Sequence, residues 1–320
     1  MKVLIALGGN AMTGPGGDAT PQSQIAAAEA AMAKVAELVV AGAGVVITHG
    51  NGPQVGNLLV KNEIAATVVP PVPLDWCGAQ TQATLGFILL DALDQALRRL
   101  GADREMAAIV TRTLVDRDDT GFSHPTKPIG RFLPEQEAAL LVEHGQTWQD
   151  RGSKGWRRVV PSPEPLEILD AGAVLRLVEA GYVVVANGGG GIPVVREADG
   201  RLRGVEAVID KDLGAALLAR TVQADVLVIA TDVENAVIGF GTPQARPVGE
   251  IEVSQLRRLA GEGLFASGSM GPKVDAVCRF VEDSGGYAVI TSLDNIVDAA
   301  AGRSGTVVRP DTAGEQGSDA

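Results

Sequence analysis

Lys2-Val3-Leu4-Ile5-Ala6-Leu7-Gly8-Gly9-Asn10 is the stretch that decides the fold. Its run from Val3 to Leu7 is apolar without a break, the pattern of a strand covered on both faces, and such strands belong to parallel sheets flanked by helices. The run stops at two glycines. Reading outward, the same rhythm returns. Ser23 to Val40 is alanine-rich with helical spacing, and Gly42 ends it. Val45 to Thr48 predicts a second buried strand, followed by His49-Gly50-Asn51-Gly52-Pro53. Asp75 to Leu100 reads as a long helix, Met106 to Val115 as a strand, and Tyr182 to Ala186 as a strand running into Asn187 and Gly188 to Gly191. Val205 to Ile209 leads into Asp210-Lys211-Asp212 and a helix over Leu213 to Arg220. Val226 to Ala230, a helix from Gly271 to Glu282, and Ala288 to Thr291 complete the series. Strands alternating with helices predict an α/β protein: a three-layer α/β/α sandwich on an open, mostly parallel sheet.

One segment breaks the rhythm. From about Arg112 to Pro165 the chain turns polar, with Asp116-Arg117-Asp118-Asp119, four prolines from Pro125 to Pro161, and two of the three tryptophans, Trp148 and Trp156. It is too long for a strand-to-helix loop and too rich in apolar anchors for a linker. The expectation is one α/β domain over residues 1–310, an inserted lobe at about 112–165 that folds over one end of the sheet as a lid, and a disordered tail at 311–320.

The 320 residues carry 27 basic and 39 acidic side chains, a net charge of −12. An acidic body argues against nucleic acid or an anionic membrane as partner, yet leaves room for a local cationic pocket. The first apolar run is shorter than the about 7–15 residues of a signal sequence, and nothing approaches the about 20 of a membrane span. Cys77 and Cys278 stand far apart, and His49, His124 and His144 lack metal-ligand spacing. These features suit a reducing cytoplasm and give no protein-borne metal site.

Three glycine clusters follow predicted strands: Gly8-Gly9-Asn10, Gly50-Asn51-Gly52 and Gly188 to Gly191. At the carboxyl ends of parallel strands, glycine lets backbone N–H groups approach an anion. Each cluster alone suits a plain turn equally well; three on one rim point to a site. The phosphate-binding motif G-x-x-x-x-G-K-[ST], G-x-G-x-x-G and G-x-S-x-G are all absent. Only seven lysines stand against 20 arginines, so a lysine can mark a place that needs a compact ammonium. Lys127 lies in the lobe, Lys211 between two aspartates at a helix start, and Lys273 just inside another helix start. A cation there opposes the helix dipole at a cost of about 0.3–1 kcal/mol, which an anion would offset. Phosphoryl transfer has that requirement. Lys211 could also simply pair with Asp210 or Asp212 at the surface.

Taken in order, the motifs resemble those of the carbamate kinase family within the amino-acid-kinase superfamily. They are Ala6-Leu7-Gly8-Gly9-Asn10-Ala11, His49-Gly50-Asn51-Gly52-Pro53-Gln54, Pro73-Leu74-Asp75 with Cys77, and Pro125-Thr126-Lys127-Pro128-Ile129-Gly130. Then follow Gly155-Trp156-Arg157-Arg158, Gly188 to Val194, Gly204 to Asp212, and Gly268-Ser269-Met270-Gly271-Pro272-Lys273. The resemblance runs from the first strand to about Val308. It implies the amino-acid-kinase fold and reversible phosphoryl transfer between ATP and carbamate, giving ADP and carbamoyl phosphate with Mg²⁺, in a homodimer. It implies Lys127, Lys211, Lys273, Asp212 and Asp210 as catalytic residues. Gly8, Gly9, Asn10, Gly50, Asn51 and Gly52 would hold the small substrate. Gly189, Gly190, Thr231, Asp232, Phe240, Met270 and Lys273 would hold the nucleotide. It further implies ATP synthesis in arginine, agmatine or purine breakdown. A related kinase for another small acid, and a non-catalytic binding protein on this fold, are the alternatives.

Overall fold

The apolar run at the start becomes β1 (Lys2–Leu7), buried from Val3 onward. The computed structural model describes residues 1–14, 17–143, 145–266 and 270–312. After β1 come α1 (Pro21–Val40), begun by a Thr20 hydroxyl that accepts from the Ser23 amide, and β2 (Gly44–His49). Helices α2 (Gly52–Ala65) and α3 (Leu74–Arg99) follow, then β3 (Met106–Ala108) and β4 (Arg112–Val115). Next are α4 (Thr120–Ser123), β5 (Lys127–Leu133), α5 (Glu135–Glu143), β6 (Thr147–Asp150), β7 (Trp156–Val160) and β8 (Pro165–Ile168). The chain returns to α6 (Ala171–Glu179), β9 (Val183–Val185), β10 (Ile192–Arg196), β11 (Leu202–Gly204), α7 (Lys211–Thr221) and β12 (Val226–Thr231). Short strands β13 (Val237–Ile238), β14 (Arg246–Pro247) and β15 (Ile251–Glu252) precede α8 (Val253–Gly261), α9 (Met270–Ser284), β16 (Tyr287–Ser292), α10 (Ile296–Ala300) and β17 (Thr306–Arg309).

The main sheet has eight strands in the order β15-β17-β16-β12-β1-β2-β9-β3, parallel except where β17 runs against β16. Alternation along β1 sends its side chains into two separate cores. Leu4 and Ala6 join Val174 of α6, Leu218 of α7 and Phe280 of α9; Val3, Ile5 and Leu7 join Met32 of α1 and Leu85, Leu89 and Leu93 of α3. The fold is a three-layer α/β/α sandwich on an open, mostly parallel sheet, as expected.

Two boundaries differ from the sequence reading. Met106 to Val115 is two strands in two sheets. β3 pairs with β9 at the edge of the main sheet, while β4 pairs with β10 and β8 in a second sheet of order β11-β10-β4-β8. The polypeptide leaves the main sheet at Thr111, whose amide and carbonyl are held by the Gln82 side chain. The inserted sheet is also narrower than 112–165. It consists of β5, β7 and β6, packed with α5 through Leu133, Ala138 and Trp148. Arg112–Val115 and Pro165–Ile168 instead pair with each other below it. β5 rests on α2, where an added Cβ at Gly56 would stand 3.3 Å from Gly130 Cα. At the far end, the Thr312 hydroxyl donates to Glu252 and Asp311 accepts from the Ser254 amide. Residues 313–320 lie outside the described residues.

Candidate active site

Neighbouring parallel strands end on a common rim, and β12, β1, β2 and β9 are neighbours. Their carboxyl ends carry Thr231-Asp232, Gly8-Gly9, Gly50-Asn51 and Asn187 to Gly191 respectively. The loops are drawn together by backbone bonds, with the Gly8 amide donating to Ala230 and the Gly50 amide to Leu7, both at 2.9 Å. Gly50 must lack a side chain: its Cβ would lie 2.9 Å from the Gly9 backbone and 3.2 Å from Lys211 Cδ.

Two helices start at this rim. Asp210 caps α7, its Oδ1 accepting from the Asp212 and Leu213 amides. Lys211 and Asp212 therefore occupy the first helical turn, and Lys273 sits in the first turn of α9. The Lys211 ammonium donates to Asp212 Oδ1 at 2.6 Å and the Lys273 ammonium to Oδ2 at 3.2 Å. Asp212 is 3% exposed. Burial alone would raise its pKa; the two ammonium groups outweigh burial and hold it below the ordinary carboxylate value. One carboxylate between two lysines leaves one positive charge unbalanced. The third lysine reaches in from β5, where Lys127 Nζ donates to Asp210 Oδ2 at 2.7 Å. That pair is locally neutral, so within the cluster of Lys211, Lys273 and Asp212 one positive charge stays in excess, with the Asp232 carboxylate on the wall of the adjoining cavity.

Two cavities meet over that charge. The larger, about 380 Å³, is lined by Gly8, Thr231, Asp232, Phe240 and Met270, with apolar walls from Val233, Val237 and Leu293. The smaller, about 280 Å³, is lined by Gly50, Asn51, Gly52, Lys127, Asp210 and Asp212. Gly9, Lys211 and Lys273 line both. An apolar slot large enough for a nucleoside thus opens into a small polar chamber, with two ammonium groups at the junction.

Most of the sequence candidates assemble here. Gly8 lines only the larger cavity. Gly189, expected beside the nucleotide, lines the smaller one. Gly190 lines neither; a Cβ there would stand 2.9 Å from Ile209. A Cβ at Gly188 would run into the His49 ring, and one at Gly189 into the Asn51 amide, so this glycine run permits close packing behind the chamber. Asn10 lies in a short helical turn over Gly9–Met12, and its side chain, like Gly268 and Ser269, lies outside the described residues. Sequence reasoning missed Val237 and Leu293, because isolated apolar residues in irregular segments carry no periodic signal; Val233, expected near the nucleoside beside Asp232, does line the larger cavity. It also passed over His49, which is fully buried next to this rim. Burial depresses its pKa to about 4, with the Lys211 charge acting the same way and the Gly50 carbonyl opposing. The ring is therefore neutral at pH 7, and its Nδ1 lies 3.1 Å from the Gly50 carbonyl oxygen.

This fold and junction define a class. The amino acid kinase family profile matches residues 1–292, and the chain belongs to the amino acid kinase family, a family of phosphotransferases. Within it, the chain is 46% identical to the carbamate kinase of Thermococcus kodakarensis over 96% of its own length and 98% of the relative's. It is 43% identical to the carbamate kinase of Pyrococcus furiosus, covering 97% and 99%. Among solved structures, a Giardia lamblia carbamate kinase bound to AMP-PNP matches with a TM-score of 0.91 at 43% identity, covering 97% and 98% of the two chains.

Proposed function

We propose that the protein is a carbamate kinase, transferring a phosphoryl group reversibly between ATP and carbamate. The observation that carries this reading is the junction: Lys211 and Lys273 line both cavities and share one buried carboxylate. ADP would occupy the larger cavity and carbamoyl phosphate the smaller. The bond from phosphorus to the carbamoyl oxygen breaks, a bond to the terminal ADP oxygen forms, and carbamate leaves as an anion. Charge spreads over the equatorial oxygens as the group crosses, and the two ammonium groups stabilise it there. Asp212 moves no proton; it holds both lysines in place. Lys127, arriving from the inserted sheet, would hold the small substrate. Carbamate offers little apolar surface, so charge-assisted hydrogen bonds in a closed chamber must supply its affinity.

Among the described residues no cluster of three or more His, Cys, Asp or Glu could hold a metal. Mg²⁺ would arrive on the nucleotide phosphates, and Asp232, whose carboxylate lines the larger cavity, would be the residue to hold it there. The ion would neutralise phosphate charge. We read the protein as cytoplasmic: both cysteines are free and buried, and among the described residues no helix is long and apolar enough to cross a membrane. We read it as a homodimer, because α3 exposes Trp76 at 59% and Phe87 at 62% about three helical turns apart. Its role would be ATP synthesis in the breakdown of arginine, agmatine or purines, with no nucleic acid partner. The test is ATP formation from ADP, carbamoyl phosphate and Mg²⁺ by purified protein. Sustained production supports the reading. No ATP from carbamoyl phosphate, alongside turnover of a different acyl phosphate, overturns it.

A further inference from the structure

We infer that Thr81 is a positioning residue that sets the orientation of the Asn51 side-chain amide, making Asn51 Oδ1 the acceptor that recognises the amino group of the small substrate. The inference rests on the carbamate kinase reading and deepens it.

Asn51 is 7% exposed and lines the smaller cavity. One end of its amide lies 2.9 Å from Thr81 Oγ1. Which end this is follows from chemistry. Thr81 Oγ1 is also 2.6 Å from the Gly78 carbonyl oxygen. A carbonyl cannot donate, so the hydroxyl hydrogen must lie on that line. Having spent its only hydrogen, Oγ1 can do no more than accept from Asn51, and the end facing it is Nδ2. The carbonyl end, Oδ1, then points away from Thr81 and makes no hydrogen bond with the described residues. The reversed amide would set two acceptors against each other.

The side-chain carboxylates lining the chamber, Asp210 and Asp212, are paired with the three lysine ammonium groups, whereas Asn51 Oδ1 is an unspent acceptor, out of place if only carboxylate and phosphoryl oxygens are to be held. It suits an N–H. Carbamate and carbamoyl phosphate carry an amino group where acetate and acetyl phosphate, of the same shape, carry a methyl. A site built to hydrogen-bond a substrate N–H rejects the analogue that lacks it, because the buried acceptor is left unpaired. Thr81 is 2% exposed and does not line the cavity, so its influence passes through Asn51. The adjacent Gln82 donates to the Gly188 carbonyl at 3.0 Å, so α3 braces two walls of the chamber from behind.

The experiment measures kcat/KM with ADP for carbamoyl phosphate and for acetyl phosphate in the wild type, T81V and T81S. Where acetyl phosphate is not turned over, its inhibition constant against carbamoyl phosphate replaces kcat/KM. Valine keeps the shape and removes the acceptor; serine restores it. The preference for carbamoyl phosphate should fall by roughly tenfold or more in T81V, through carbamoyl phosphate alone, and return in T81S. The preference is a ratio, so it does not depend on how much enzyme is folded. Equal losses on both substrates, an unchanged preference in T81V, or a wild type with no preference overturns the inference. A wild type that forms no ATP from carbamoyl phosphate overturns the functional reading and the inference with it.

Discussion

Two of the three lysines of the candidate site are built differently from the third. Lys211 and Lys273 come from helix starts packed on the main sheet, are each 14% exposed, and divide a carboxylate whose side chain is 4% exposed. Lys127 comes from the inserted sheet, is 34% exposed, and pairs with Asp210, which is 13% exposed. The first two are held at fixed positions in a dry environment, where a charge acts strongly on a reacting group. The third belongs to an element that joins the body over a smaller apolar cluster, formed by Val55, Leu59 and Ile129. The difference teaches how, on the proposed reading, transfer and capture would be separate tasks: the fixed pair would define where the phosphoryl group crosses, and the inserted lysine would govern the small substrate.

The sharpest way to break this comparison is Asp212→Ala. It releases both fixed ammonium groups at once, and kcat should fall by at least about 1,000-fold, the upper range for losing one preorganised donor. Removing one partner of a buried ion pair should also cost about 3–5 kcal/mol of stability, readable by urea unfolding. The depressed pKa of Asp212 gives that contribution a sign: it is complete above the ordinary carboxylate range and is lost only as pH falls through the lower folded value.

Next come Lys211→Ala and Lys273→Ala, each expected to lower kcat by about 100-fold or more in steady-state assays. A variant that keeps its rate would remove that lysine from the fixed pair.

Acid should loosen the fixed side through His49. Its folded pKa is about 4 against an ordinary 6.5. The unfolded chain therefore takes up the proton first as pH falls. The contribution is full above 6.5 and lost between 6.5 and about 4, up to roughly 3 kcal/mol. His49→Gln should flatten that slope in denaturation curves collected from pH 7 to pH 4.

The mildest change should be Lys127→Ala. The expectation is a rise of about tenfold in KM for carbamoyl phosphate with a smaller loss in kcat, the loss of one partly exposed charge-assisted hydrogen bond. A kcat loss as large as that of Lys273→Ala would erase the distinction between fixed and inserted lysines.

The layout of the main sheet was legible because its strands are continuous apolar runs: β1, β2, β12 and β16 all lie where Val, Ile and Leu cluster. The division between β3 and β4 was not legible, since Ile109 and Val110 continue the apolar pattern while the chain changes sheet. Helix α2 was hidden because its first residues, Gly52 and Pro53, read as loop. The lysines stood out through their scarcity and their place at helix starts. The sequence could not reveal that Asp212 would be shared by both, because the lysines are 62 positions apart and only the packing of α7 on α9 brings them together. Thr81 and Gln82 were invisible for a related reason. Polar residues inside a helix usually face water, and their task here appears only once α3 lies behind the β2 and β9 loops.

Asp210 divides its two oxygens between two masters. One secures the opening turn of α7 and the other grips the inserted sheet. Departure of Lys127 would therefore free one oxygen without unfastening the other, and the helix bearing Lys211 would stay wound. The footing of α7 is thus independent of whatever Lys127 holds.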